Sequence, residues 1–245
     1  MVAAGWRCGM RRGRRRAITK HWRGGLHMDA FVAAMDAGRD HDLMICQAQG
    51  VAYQYDMQAD RVEYGTRYLA KIAAYDKATA AAVNAGRCAL VQRHLPADGV
   101  LLDIGAGDGA FVRAARSWGI GAFGFDVIPD AVRALRADGL YDDDPGIWDA
   151  VTLWDTIEHM EDPALTLRRV ARGALLFASV PIFDSLDDIR ASKHYRPGEH
   201  LYYWTAAGFI AWMAMYGFRL LERSTHETDA GRDSIGAFAF RRDAP

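Results

Sequence analysis

Three glycines at alternate positions, Gly105, Gly107 and Gly109, stand between an apolar run and the start of an amphipathic one. The full segment is Leu101-Leu102-Asp103-Ile104-Gly105-Ala106-Gly107-Asp108-Gly109-Ala110-Phe111. It reads as a strand that turns tightly on bare backbone and then opens a helix, so that a ligand can lie against main-chain N–H groups. Glycine weakens packing wherever it replaces a side chain, so this density of glycines asks for a ligand to explain it. The surrounding texture agrees. Short apolar runs at Val100–Ile104, Ala122–Val127, Ala150–Trp154 and Ala174–Val180 alternate with helical stretches at Ala110–Trp118, Asp130–Asp138 and Pro163–Arg172. Near-continuous apolar strands separated by helices predict an α/β fold with a doubly wound, mostly parallel sheet covered on both faces. Phe218–Glu222 and Ile235–Arg241, joined by a polar connection, predict an antiparallel pair at the sheet edge.

Charge divides the rest of the chain. Among 245 residues, 30 are Lys or Arg and 31 are Asp or Glu, a formal net charge of −1. Residues 1–28 hold eight of the basic groups (Arg7, Arg11, Arg12, Arg14, Arg15, Arg16, Lys20 and Arg23) and no acid, which leaves residues 29–245 at −9. An acidic body repels phosphate backbones, so nucleic acid is a partner only through the basic N-terminal tail. That tail lacks the apolar stretch of a secretory signal. It is expected to be disordered, with the fold starting near Met28. Residues 29–95 are expected to form a mainly helical extension, with helices at Tyr64–Ala82 and Ala85–His94 closed by Pro96, and residues 96–245 the ligand-binding domain. Leu201–Phe218 carries no charge over eighteen residues. Thr205 suits an N-cap and Gly217 a C′ position, however, which leaves about three helical turns, too short for a bilayer. A buried core helix is expected there, and no membrane span. Cys8, Cys46 and Cys88 form no C-x-x-C pair, so neither a disulfide framework nor a standard zinc site is indicated and a cytoplasmic setting is expected.

Two ligands suit the glycine loop. Gly105-x-Gly107-x-x-Ala110 matches the dinucleotide fingerprint, with Asp126 about 20 residues on at the end of the next strand. The same segment resembles motif I of the class I S-adenosylmethionine-dependent methyltransferases, Asp/Glu-x-Gly-x-Gly-x-Gly, with Asp103, Gly105, Gly107 and Gly109 in its four places. Asp103 favours the second ligand, because a carboxylate repels a pyrophosphate but attracts an ammonium and a sulfonium. Gly124-Phe125-Asp126-Val127 resembles the family's second motif. The resemblance implies that Asp126 binds the ribose diol, with Val127 and Ile128 against the adenine. Trp154-Asp155-Thr156-Ile157-Glu158-His159-Met160-Glu161-Asp162-Pro163 resembles the fourth motif in its Asp-x-x-Glu-His-x-x-x-Pro form. The resemblance covers residues 85–241. It implies a Rossmann-like fold, S-adenosyl-L-methionine as methyl donor, a small-molecule acceptor, and a donor site of Asp103, Gly105, Ala106, Gly107, Gly109, Asp126, Val127, Trp154 and Asp155. One departure stands out: the stretch from Leu140 to Asp149 is too short for a helical crossover, so the usual edge strand and helix must be shortened or lost.

Methyl transfer from a sulfonium is an in-line displacement on an activated donor, and an oxygen or nitrogen acceptor needs at most a general base. His159 is the candidate base, with Asp155 and Glu158 to orient it, unless Glu158 and His159 instead brace the following helix. Ile182–Trp204 has no strong helix or strand signal and is dense in polar and aromatic groups, which suits an acceptor pocket or lid. Its candidates, with Glu158, are His194, His200, Tyr202 and Trp204. No regular ligand spacing among His159, His194 and His200 supports a metal. Two further readings stay open: a non-catalytic S-adenosylmethionine-binding protein, and an NAD-dependent oxidoreductase.

Overall fold

The alternating apolar runs form one six-stranded sheet. In this computed structural model, residues 38–40, 42–54, 76–144, 148–187 and 189–243 are described. The basic tail and most of the helix expected at Tyr64–Ala82 lie outside them. Strands β4 (Val100–Ile104), β5 (Gly121–Phe125), β6 (Ala150–Trp154) and β7 (Leu175–Pro181) are parallel, and β9 (Phe218–Ser224) and β10 (Ile235–Arg242) add the antiparallel pair. Their order is β5-β4-β6-β7-β10-β9. Helices α2 (Ala110–Ser117), α3 (Pro129–Ala137) and α4 (Pro163–Arg169) supply the crossovers. The chain leaves β4 toward β5 on one side and returns to β6 on the other, so the order reverses at β4. In open α/β sheets the crevice beyond the carboxyl ends of the strands at such a reversal is where ligands bind.

Period-two alternation sends successive residues of each strand to opposite covered faces. Leu102, Val151, Phe238 and Phe240 share one apolar cluster with Phe209 and Trp212 of helix α5 (Ala206–Met215). Leu101, Ala150, Phe177 and Ala237 share the other with Val91 of helix α1 (Lys77–His94) and Val112 of α2. The uncharged segment 201–218 behaves as its caps predict: Thr205 Oγ1 accepts from Gly208 N at 3.0 Å and Gly217 is left-handed at φ 80°. Among the described residues no helix is long and apolar enough to cross a membrane. The shortened stretch after α3 is also visible. Among the described residues it contributes Tyr141, which bridges Gly124 as a one-residue edge strand.

Ahead of the expected helices, the extension also holds strands. Strands β1 (Gly38–Asp40), β2 (Leu43–Cys46) and β3 (Val51–Gln54) form an antiparallel sheet whose fourth strand is β8 (Tyr202–Trp204). Apolar residues of β2 and β3 bury against both sides, Tyr53 toward the main core and Leu43 and Ala52 toward Phe183, Leu186 and Ile189. The described end of the first expected helix, 77–82, runs on without a break into Ala85–His94 as one α1, capped by Asp76 accepting from Thr79 N at 2.8 Å.

The hairpin docks through glycines. Thr205 N donates to Gly50 O at 2.9 Å, and a Cβ on Gly208 would lie 2.0 Å from that same oxygen. Helix α5 approaches this turn only because position 208 has no side chain. Gly208→Ala is therefore expected to cost about 1–3 kcal/mol of unfolding free energy in chemical denaturation, as overpacking does elsewhere. An unchanged denaturation midpoint would show that the turn moves aside freely.

Candidate active site

At the carboxyl end of β4 the loop turns on three left-handed glycines, Gly105 (φ 81°), Gly107 (φ 55°) and Gly109 (φ 78°). A Cβ on Gly105 would sit 2.4 Å from Thr156 Oγ1, so both the backbone angle and the β6 exit demand glycine there. The loop is stitched to the end of β5. Gly105 N and Ala106 N both donate to Phe125 O, at 2.8 and 3.0 Å. Asp126, as its sequence position predicts, meets the loop: Oδ2 accepts from Gly107 N at 2.7 Å and Oδ1 from Ile128 N at 2.8 Å. Beside it Val127 projects an apolar side chain that is 71% exposed. Below the loop Asp103 is buried, with Thr152 Oγ1 donating to it at 2.6 Å. Burial pushes its carboxyl up to about 7, against the pull of the Thr152 hydrogen bond and the Arg87 charge.

On the β6 side, Trp154 and Asp155 end the strand, but Asp155 is engaged differently from the expected role of orienting His159. It sits in the left-handed region at φ 52° and joins a partly buried cluster of charges. Arg87 of α1 donates to Asp155 Oδ2 at 2.9 Å, to Glu227 Oε1 at 2.7 Å and to Ser179 Oγ at 3.2 Å. Arg232 donates to Asp155 Oδ2 at 2.9 Å and to Glu227 Oε2 at 2.6 Å. Two guanidinium groups thus face two carboxylates, and neither charge sign is left in excess. Burial by itself would raise the Asp155 carboxyl, but Arg232 and Arg87 outweigh it and hold it well below the ordinary range. Glu227 is lowered for the same reason, with Arg87 the largest opposing influence on its burial. The Arg87 guanidinium also lies 4.9 Å from the centre of the Trp154 ring, which meets Phe111 edge-on at 5.3 Å.

Arg87, Arg232, Glu227 and Ser179 are absent from the residues the sequence singles out. Arg87 lies on a helix face otherwise apolar, and Glu227 and Arg232 lie in the polar connection before β10. Each looks solvated locally, and only the fold brings them together.

The third group forms where the one-turn segment Ile157–His159 meets residues 199–201. His159 Nδ1 pairs with Glu199 O at 2.8 Å, and His200 Nδ1 with His194 O at 2.9 Å. The two rings meet edge-on, 4.7 Å between centres. Leu201 N donates to Glu158 O at 2.7 Å. Glu158 is 1% exposed, and its Oε2 has no hydrogen-bond partner among the described residues. Burial, then the nearby Asp155 charge, raises its carboxyl well above the ordinary range. Burial likewise pushes His200 down to about 3. His159 is thus oriented by the Glu199 carbonyl and by His200, in place of Asp155. Ligand atoms of Glu158, His159 and His200 lie within 4.8 Å of one another, a grouping their spacing in sequence does not announce.

The remaining acceptor-side candidates separate from this group. His194 pairs through Nε2 with Asp233 O at 3.0 Å. Tyr202 and Trp204 stack on one another at 5.4 Å within the core shared with Phe209 and Trp212, and the Tyr202 hydroxyl donates to Glu161 O at 3.2 Å. Both rings lie on one face of β8 and are buried, 2% and 0% exposed, in the core beneath β3.

Comparisons with known proteins agree on the architecture. A family model described as a methyltransferase domain matches residues 73–223. A ubiquinone biosynthesis O-methyltransferase of Methylococcus capsulatus is 31% identical over 110 residues, 38% of this chain and 46% of that protein. The chain therefore spans about half the length of this curated relative. The 1,6-didemethyltoxoflavin-N1-methyltransferase of Burkholderia thailandensis, solved with its acceptor and S-adenosylhomocysteine, superposes with a TM-score of 0.52 at 14% identity, covering 86% of this chain and 100% of that one. The CcbJ methyltransferase of Streptomyces caelestis gives 0.53 at 13% identity, covering 78% and 100%. At such identities the likeness to the two solved structures is one of fold.

The charge cluster yields a direct test. Arg87→Met leaves the buried Glu227 and the part-buried Asp155 with one cation between them, and is expected to cost about 3–5 kcal/mol of stability. Arg93→Met removes the half-exposed pair with Glu222 and is expected to cost no more than about 1 kcal/mol. Equal losses in urea denaturation would contradict the special standing of the cluster.

Proposed function

Since the chain belongs to the methyltransferase-domain family, whose methyl donor is S-adenosyl-L-methionine, we propose that it transfers the donor's methyl group to a small-molecule acceptor. The observation that carries this reading is the Gly105–Gly109 loop at the order reversal, strapped to β5 by Asp126. Its glycine geometry fits a ligand laid against bare backbone: Gly105 can carry no side chain, and Gly107 and Gly109 are left-handed like it. Each Asp126 oxygen accepts one backbone N–H and keeps a lone pair for a ribose hydroxyl. Val127 offers its exposed face to the adenine, and Ala106 and Gly109 keep the loop low. Asp103 lies beneath the loop, and in its ionised form its charge favours a cationic donor over a pyrophosphate. Trp154 and Asp155 bound the crevice on the β6 side.

Bound there, the donor supplies a methyl group already activated by its sulfonium. The residues of the chain position the acceptor and exclude water. The acceptor side is built from Glu158, His159 and His200, where the β6 exit meets the long connection after β7. The relative's description as an O-methyltransferase supports an oxygen acceptor. An imidazole at position 159 has two chemistries open to it there, proton acceptance from the acceptor and metal ligation. Tyr202 and Trp204 support this wall from behind.

Methyl incorporation from labelled donor across a panel of small hydroxylated and amino compounds tests the reading. At least one compound is expected to be methylated, and His159→Ala is expected to lower that turnover by about 10²–10⁴-fold with donor affinity nearly intact. Donor binding with no turnover on any compound would support a binding protein. Unaltered turnover in His159→Ala would leave that residue a structural role.

A further inference from the structure

The structure assigns a divalent transition-metal site to Glu158, His159 and His200, at the junction of the β6 exit with residues 199–201. Three features of the side chains support it together. The donor set, two imidazoles and one carboxylate, is a common one for zinc and related first-row ions and leaves coordination positions open to water or an acceptor oxygen. Each imidazole is anchored through Nδ1 on a main-chain carbonyl, His159 on Glu199 and His200 on His194. That contact fixes the tautomer with Nδ1 protonated and assigns ligation to Nε2, the outer-shell arrangement usual for metal-bound histidine. The carboxylate is the third feature. Glu158 is almost wholly buried with an unpartnered Oε2, and a buried carboxylate oxygen without a donor is costly unless a cation meets it.

Distances allow the site with a small adjustment. Metal–ligand bonds of about 2.1 Å at a tetrahedral angle put ligand atoms about 3.4 Å apart, and here they lie within 4.8 Å of one another. Residues 158–159 and 200 come from separate connections already tied by Leu201 N to Glu158 O, so an ion closes a junction the backbone has brought together. Magnesium and calcium are poor occupants, because both prefer oxygen ligands. Affinity should follow the order manganese, cobalt, nickel, with zinc among the tightest. Because the site lies on the wall assigned above to the acceptor, a bound ion would hold an acceptor oxygen, an extension that rests on the methyl-transfer reading. The binding itself does not.

The test uses untagged full-length protein stripped with a chelator, then titrated with zinc chloride in competition with a chromophoric chelator, and separately with cobalt(II) to read the ligand-field spectrum. Wild type is expected to bind one zinc tightly through this site, with the cobalt spectrum of a four- or five-coordinate ion. His159→Ala and Glu158→Gln are each expected to weaken binding by more than about tenfold and to lose that spectrum. Far-UV dichroism and the melting temperature of the metal-free His159→Ala protein should match metal-free wild type, which excludes misfolding as the cause. Absence of zinc binding, or binding unchanged in both variants, would overturn the site. Titration of the metal-free protein with S-adenosylhomocysteine reports on the methyl-transfer reading independently, so the two can fail separately.

Discussion

Two arginines and two carboxylates, Arg87 and Glu227 buried and Asp155 and Arg232 partly so, hold the carboxyl ends of β6 and β7 to the elements that cover them. Arg87 reaches from α1, Asp155 from the end of β6, and Glu227 and Arg232 from the connection between β9 and β10. Each bridge alone would be poor evidence for stability, since desolvating charges offsets much of their attraction. Together they pair two cations with two anions and tie those three segments to one another. That arrangement places α1 behind Trp154, turns Asp155 into a left-handed backbone conformation, and sends the chain on through Thr156 against Gly105. The glycine loop and the charge cluster are therefore parts of one construction: the loop can lie flat because the β6 exit beside it is held in place.

On the far side of the loop a smaller device does the same work. Asp126 spends one hydrogen bond from each oxygen on backbone N–H groups, Gly107 on one strand end and Ile128 on the next. Carboxylate-to-amide bonds of this kind are stronger than neutral ones. The crevice between β4 and β5 is thus organised by the side chain that the family resemblance assigns to the ribose. The junction of residues 157–159 with 199–201, proposed above as the acceptor side, is organised by neutral hydrogen bonds and aromatic packing instead, with Tyr202 and Trp204 of β8 packed in the core.

The legible parts of the molecule were those whose physics is local. Apolar runs gave the four parallel strands, Thr205 and Gly217 the limits of α5, and the shortness of the Leu140–Asp149 stretch the reduced edge at Tyr141. The alternate glycines and Asp126 lie on a single strand–loop–helix–strand unit, so their mutual contact followed from spacing. What escaped the sequence depends on distant pairing. Residues 43–54 become strands because β8, about 150 residues later, gives β3 a partner, and Tyr202 and Trp204 of β8 are buried in the core beneath β3. Arg87 meets Glu227 across 140 residues. His159 finds Glu199 and His200 through a connection with no regular structure, so no periodicity or ligand spacing announces that they meet.

The central claim is that the loop strapped by Asp126 is a site for the methyl donor. Isothermal calorimetry with S-adenosylhomocysteine, on the wild-type chain and on Asp126→Ala, tests it most directly. The account predicts stoichiometric binding to wild type, weakened in Asp126→Ala by about 1–3 kcal/mol through the lost charge-assisted hydrogen bonds. Tight binding of NAD with no heat from S-adenosylhomocysteine would contradict it.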